Sequence, residues 1–220
     1  MSQQLSLRIH SVKCIDETNG AWAERFGNDE IWLGGYTIAA NGSTQVIAPW
    51  SVYAGFDDGD IKVFDPPRVM HSFALGAPGA PGAQEFGIGL VLVEKDNGGM
   101  GAAITAIAKL VQEQLQAQLA AAKAARTLPS TAAGLAVEVL KWLLAATGPA
   151  ILREVKRRIM AAYDDDVFQP QHLTQLVRGL NFSFSGSNTS ARKTLRFQDH
   201  DGIYELVCDW QVTGQATTVG

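Results

Sequence analysis

Carboxylates gather where this chain turns. They stand at Asp16-Glu17, Asn28-Asp29-Glu30, Asp57-Asp58-Gly59-Asp60, Glu94-Lys95-Asp96-Asn97, Asp164-Asp165-Asp166 and Asp199-His200-Asp201. Carboxylate and carbonyl oxygens on loops are the ligands that a hard cation such as calcium takes. No single segment has the spacing of a helix–loop–helix calcium site, so a cation would need several loops converging at one end of the fold. The other reading needs no metal, because Asp and Asn at turns bond their own backbone. Turn capping is the preferred reading for Asp57–Asp60 and for Asp199–Asp201. For Asp16, Asp29, Glu94 and Asp96 both readings stay open. Asp164-Asp165-Asp166 follows a helical run at the end where the helix dipole disfavours negative charge. Pairing with Arg157 or Arg158, or with a cation, would resolve that conflict.

The second candidate chemistry is basic. Residues 1–98 carry a net charge of −6, residues 99–163 a net of +5 and residues 164–220 a net of −3. Arg153, Lys156, Arg157 and Arg158 follow an apolar run that contains Trp142. A basic amphipathic helix suits an anionic membrane surface or a protein partner. Each Lys or Arg adds about 1 kcal/mol near anionic lipid. The same +5 could instead pack against the acidic remainder of the chain. A nucleic-acid partner is not expected, since the whole chain carries −4 and no aromatic platform accompanies the basic run.

Catalytic patterns are absent. His10, His71, His172 and His200 are scattered, and no Gly-x-Ser-x-Gly occurs. Gly98-Gly99-x-Gly101 lacks the rest of either nucleotide fingerprint. Cys14 and Cys208 are too few for a disulfide framework and lack metal-ligand spacing. An enzyme is not expected.

What must position these residues is a chain of two characters. Its 220 residues are 46% hydrophobic and 18% charged, which excludes general disorder and suits one domain. Strand alternation runs through Leu5, Leu7 and Ile9, slips phase near Ser11 and resumes at Val12 and Cys14. Short apolar runs follow at Ile31–Leu33, Val46-Ile47, Ile61–Phe64 and Phe86–Val93. Turn chemistry separates them at Asn41-Gly42, Asp58-Gly59, Pro66-Pro67 and Gly76–Gly82. Alternation returns at Leu180, Phe182 and Phe184, at Leu195 and Phe197, and from Tyr204 to Val212, with Cys208 expected inside. Between the flanks, 102–126 is rich in strong helix formers, with Ile104, Ile107, Val111, Leu115 and Leu119 on one face. Two further helical runs follow, from about 131 to 146 and from 150 to 163.

The expected fold class is mainly β with an α insertion (α+β). An antiparallel sandwich of about eight or nine strands, from 1–98 and 164–220, is interrupted by a helical hairpin over 99–163. A membrane span over 131–152 is not expected, because Glu138 and Lys141 sit mid-segment and Gly148-Pro149 disrupts the backbone.

The strand ending at Cys14-Ile15-Asp16, followed by Gly27-Asn28-Asp29-Glu30-Ile31-Trp32-Leu33, resembles the opening of the calcium-and-lipid-binding β-sandwich of protein kinase C and synaptotagmin. Leu90-Val-Leu-Val-Glu94-Lys95-Asp96 resembles that family's apolar strand ending in Asp-x-Asp. The resemblance spans about residues 5–98, and the last three strands match only in number. It implies that Asp16, Asp29, Glu94 and Asp96 hold calcium. Glu30 replaces the proline after Asp29, Glu94 stands where Asp is usual, and a further acidic residue of the second loop is missing.

Two functions are therefore expected of the chain. The first is non-enzymatic, calcium-assisted binding to an anionic membrane, extending to pore-forming or toxin-like action. The acidic loops would hold the cation, and Trp142, Arg153, Lys156, Arg157 and Arg158 would contact the bilayer or a partner. The second is a structural or adaptor protein whose helical hairpin mediates homo-oligomerisation or binds a protein partner. The N-terminus lacks the apolar block of a signal peptide, so the cytoplasm is the default expectation, with release by a non-classical route left open.

Overall fold

The computed structural model describes residues 3–18, 29–40, 43–75, 83–94, 166–179, 182–199 and 201–214, together with seven positions between 104 and 117. Nine strands are described: β1 (Gln4–Asp16), β2 (Asp29–Ile38), β3 (Thr44–Phe56), β4 (Ile61–Ala74), β5 (Ala83–Glu94), β6 (Asp166–Val167), β7 (Gln171–Arg178), β8 (Lys193–Asp199) and β9 (Gly202–Thr213). The first sheet has the order β4-β1-β9-β8. The second runs β3-β2-β5, with β6 and β7 sharing the far side of β5. Every pairing is antiparallel.

Period-two alternation explains the layer between the sheets. Leu5, Leu7, Ile9, Val12 and Cys14 of β1 point inward, and the register shifts between Ile9 and Ser11, where the phase slip was read. Tyr204, Leu206, Cys208, Trp210 and Val212 of β9 join them. Ile31 and Leu33 of β2 and Phe86, Ile88, Leu90 and Leu92 of β5 supply the facing layer. Edge-on rings cross the gap, Phe56 to Tyr204 at 5.6 Å and Phe168 to Tyr204 at 5.5 Å between centroids.

The inner strands of the second sheet, β2 and β5, are buried on both faces. Val91 and Val93 point away from the inter-sheet core and are nonetheless fully buried, as is Ile104. A Cβ built on Gly34 would lie 2.4 Å from Ile104 Cδ1, so Ile104 sits directly on that outer face. One strand along, Gly89 leaves room for the Tyr36 ring, whose Cζ would stand 2.3 Å from a Cβ there. The unbroken run Leu90-Val91-Leu92-Val93 is the sequence form of a strand covered on both sides.

The expected fold class needs correcting. The described chain is mainly antiparallel β and sandwich-like, and the helical hairpin is not among the described residues. Within 99–163, Ile104, Thr105, Ala106, Lys109, Gln112, Glu113 and Ala117 are described and helical; the rest of that segment lies outside the described residues. Helix-forming composition sets a local preference and does not by itself specify a hairpin. Pro66-Pro67 also changes role. It does not end a strand but sits within β4, where β1 advances from Ile9 to Ser11 while β4 passes from Arg68 to Val63. The Asp65-Pro66 bond there is cis. Phe182 and Phe184 form no named strand; Phe184 makes one bridge to Ser187 across a tight turn.

Candidate functional site

The strand directions do bring the carboxylate turns to one end of the sandwich. β1 finishes there at Asp16, opposite Ile203, and β2 starts there at Asp29, opposite Phe56. The β3–β4 connection is tied to it, since Cys14 N donates to Asp60 O at 2.9 Å and Gly59 N to Cys14 O at 3.2 Å. β5 reaches it at Glu94, opposite Asp166. The β8–β9 turn closes there between Asp199 and Gly202.

Asp29 is 6% exposed, and its carboxylate is filled by donors. It accepts Thr18 N at 2.8 Å, the Thr18 hydroxyl at 2.8 and 2.9 Å on its two oxygens, and the Tyr204 hydroxyl. Asp29 thereby fastens the end of β1 to the start of β2 and to β9 in the other sheet. A cation on those oxygens would displace donors that already compensate a buried charge. Glu94, 8% exposed, lies at the inward-facing end of β5. Among the described residues no group of three or more His, Cys, Asp or Glu could hold a metal ion. Asp96, Trp142, Arg153, Lys156, Arg157 and Arg158 lie outside the described residues.

The turn acids behave as backbone caps. Asp58 Oδ1 accepts Glu17 N at 2.9 Å, Asp57 Oδ1 accepts Asp58 N at 2.8 Å, and Asp60 Oδ2 accepts Asp57 N at 3.2 Å. Gly59, at φ +86°, supplies the left-handed corner of that turn, and Asp201, at φ +61°, supplies the corner of the next.

Both cysteines are buried and held in their unreactive form. Burial pushes the Cys14 and Cys208 thiols up to about 12 each, so neither is a thiolate nucleophile at neutral pH. His172 lies on the outer face of the second sheet, where its Nε2 meets the Tyr36 hydroxyl at 2.5 Å. Burial lowers its pKa to about 4, so the ring is neutral at pH 7. On the first sheet Arg8 grips Asp209 with two hydrogen bonds, Nε to Oδ1 at 2.9 Å and Nη2 to Oδ2 at 2.7 Å. His10 Nε2 stands 3.0 Å from the same carboxylate, a close contact rather than an aligned hydrogen bond. Burial alone would raise Asp209, but Arg8 and His10 outweigh it and hold the carboxyl below its usual range.

One feature escaped the reading of the sequence: an exposed apolar row on β4. Ile61 is 57% exposed, Val63 63% and Val69 52%, with Val46 and Tyr53 also open to solvent. β3 and β4 are the edge strands on the same side of the sandwich. Aromatic side chains close that side. Trp50 and Phe64 meet edge-on at 5.5 Å, and Trp50 Nε1 reaches Met70 Sδ at 3.4 Å. The Arg68 guanidinium lies 3.7 Å above the Trp50 ring, and Lys62 Nζ lies 5.6 Å from the Tyr53 centroid. The available signal was Ile61-Lys62-Val63-Phe64, in which both strand faces carry apolar residues although only one can meet the core.

Comparisons with protein-family models, with curated proteins and with solved structures find no match to this chain. Among the described residues no helix is long and apolar enough to cross a membrane.

Proposed function

We propose that this chain is a non-enzymatic structural or adaptor protein that assembles with a second copy of itself through the exposed apolar row on β4. The observation that carries this reading is the row of branched apolar side chains on β4, Ile61, Val63 and Val69, each more than half exposed. A folded chain leaves large apolar groups side by side on an open face chiefly where a partner covers them.

The character of the strip selects among partners. Its cations are already spent on its own rings, Arg68 on Trp50 and Lys62 on Tyr53, so they do not call for an anionic ligand. Asp60 directly precedes Ile61, and Asp65 lies within β4, charges that an anionic lipid surface would repel. Backbone pairing with another strand is discouraged as well, since Pro49 interrupts β3 and Pro66-Pro67 interrupt β4. What is left is side-chain packing, face against face, and an apolar strip with internally satisfied charges matches itself. The calcium-and-membrane alternative draws no support from the described residues, because Asp29 is occupied by its own donors.

Sedimentation velocity on the wild type and on the double variant Val63→Lys/Val69→Lys tests this. At about 100 μM the wild type sediments as a dimer and the variant as a monomer. A monomeric wild type at that concentration, or a variant that keeps the dimer mass, removes the proposal.

A further inference from the structure

The described sheets end on β4 and β8 and on β3 and β7, with the short β6 beside β7. An edge strand offers its free N–H and C=O groups to another strand unless something blocks them. Pro49 and three register shifts break the line of β3, and Pro66-Pro67 break that of β4. β7 is buried or half-buried from Gln171 to Val177.

β8 differs from these. It pairs with β9 over Lys193–Asp199 without a register shift and contains no proline. Asn188 and Ser190 prolong the same line, since Val212 N donates to Asn188 O at 2.8 Å and Ser190 N to Trp210 O at 2.9 Å. Among the described residues no strand pairs with the other side of β8. Arg192, Lys193, Thr194, Arg196 and Gln198 are exposed, so this edge meets solvent.

Its side chains select what can pair there. Leu195 packs against the inter-sheet core and is half-buried, so a further strand beside it would complete its cover. Arg192 and Lys193 make no ion pair among the described residues. Arg196, 51% exposed, meets Glu205 at 3.6 Å and donates to Gln198 at 3.4 Å. Arg8, Lys62 and Arg68, by contrast, are held by a carboxylate or a ring. Edge cations repel a like-charged edge and so guard against pairing between two copies of β8. They do not repel an acidic strand.

We propose that β8 captures an extended acidic peptide of another protein, which joins the first sheet as its next strand. Main-chain hydrogen bonds would supply affinity, apolar side chains at alternate positions would lie beside Leu195, and carboxylates between them would neutralise the cations of the edge. β4 and β8 are opposite edges of the first sheet, so capture and self-association use separate surfaces.

The probe is a fluorescein-labelled octapeptide of alternating valine and glutamate, titrated with the full chain in about 50 mM salt to limit screening. A saturable rise in anisotropy is expected, with a dissociation constant of about 100 μM or tighter. The counterpart with lysine for glutamate should show none. At saturation the backbone amides of Lys193–Gln198 should shift and those of Ile61–Val69 should not. N-methylation of every second residue removes the amides that strand pairing needs, and one of its two phases should weaken binding about tenfold or more. Arg192→Gln/Lys193→Gln, at exposed positions, should weaken it about fivefold. Val63→Lys/Val69→Lys should bind as the wild type does, so failure of either reading leaves the other standing. The proposal is overturned by an absence of saturable binding up to about 1 mM protein. Equal binding of the lysine peptide, or of both N-methylated peptides, would also overturn it, as would unchanged affinity in the Arg192/Lys193 variant or lost binding in the β4 variant.

Discussion

The outer faces of the two sheets solve the same geometric problem in opposite ways. On the first sheet, Lys13 faces Glu205, Glu205 faces Arg196 and Arg8 faces Asp209, a ladder of charges that needs no cover. On the second, Val91, Val93 and Tyr36 are buried and His172 is half-buried, Gly34 and Gly89 make room for Ile104 and Tyr36, and among the described residues no charge ladder crosses them. One face tolerates water and the other excludes it. The difference teaches that a strand's two faces must be read separately. β1 alternates because only one of its faces is covered, whereas β5 is apolar throughout because both are.

The contrast can be broken at its strongest point by placing the same charge on each face. Val91→Asp puts an unpaired carboxylate under the cover of the second sheet and should cost about 4 kcal/mol or more. Val63→Asp, on the open face of the first, should change stability by no more than about 0.5 kcal/mol. Urea midpoints measured at about 1 μM, dilute enough to separate monomer stability from association, check both. Similar losses at the two sites would mean that the faces are not as different as their burial indicates.

A smaller effect sharpens the buried side. His172 has its pKa lowered to about 4 by burial, so below pH 6.5 the unfolded chain takes up a proton that the native chain refuses. Stability is therefore full above pH 6.5 and falls as pH drops toward 4, by about 3 kcal/mol from this group. His172→Gln should flatten that part of the profile in denaturant melts across pH 7 to 4. An unchanged slope would place the acid sensitivity elsewhere.

The open side gives the mildest prediction. Arg8→Ala leaves Asp209 buried without its bidentate partner, and the loss at pH 7 should be about 2 kcal/mol. Asp209 has a depressed pKa, so its contribution is present above the ordinary carboxylate range and is lost as pH falls through the native value. The gap between variant and wild type should then narrow at pH 3 in thermal melts. A gap that stays constant would show that Arg8 acts by packing rather than by charge.

Local patterns in the sequence were readable and distant ones were not. The slip at Ser11, the inward Cys208 and the capping role of Asp57–Asp60 follow from alternation and turn chemistry within a few residues. The tie from Asp29 to the other sheet could not be read locally: the Tyr204 hydroxyl that binds it comes from a strand 175 positions away. Pro66-Pro67 looked like a strand break, since nothing local shows that β1 continues past them. The exposed row on β4 depends on which strand ends at the edge, and sheet order is not written in any one segment. The helical hairpin came from composition and a one-faced apolar spacing, which speak for single helices and not for how they pair.

The pairing of β1 with β9 also sets an order of events during synthesis. β1 spans residues 4–16 and its neighbour begins at residue 202. At about 5–20 residues per second, a ribosome needs about 10–40 s to deliver the second strand after the first. Through that interval Leu5, Leu7 and Ile9 are in the cell without the partner that encloses them. A nascent chain of this design spends most of its translation time exposed, so its yield should depend on whatever shields a waiting strand.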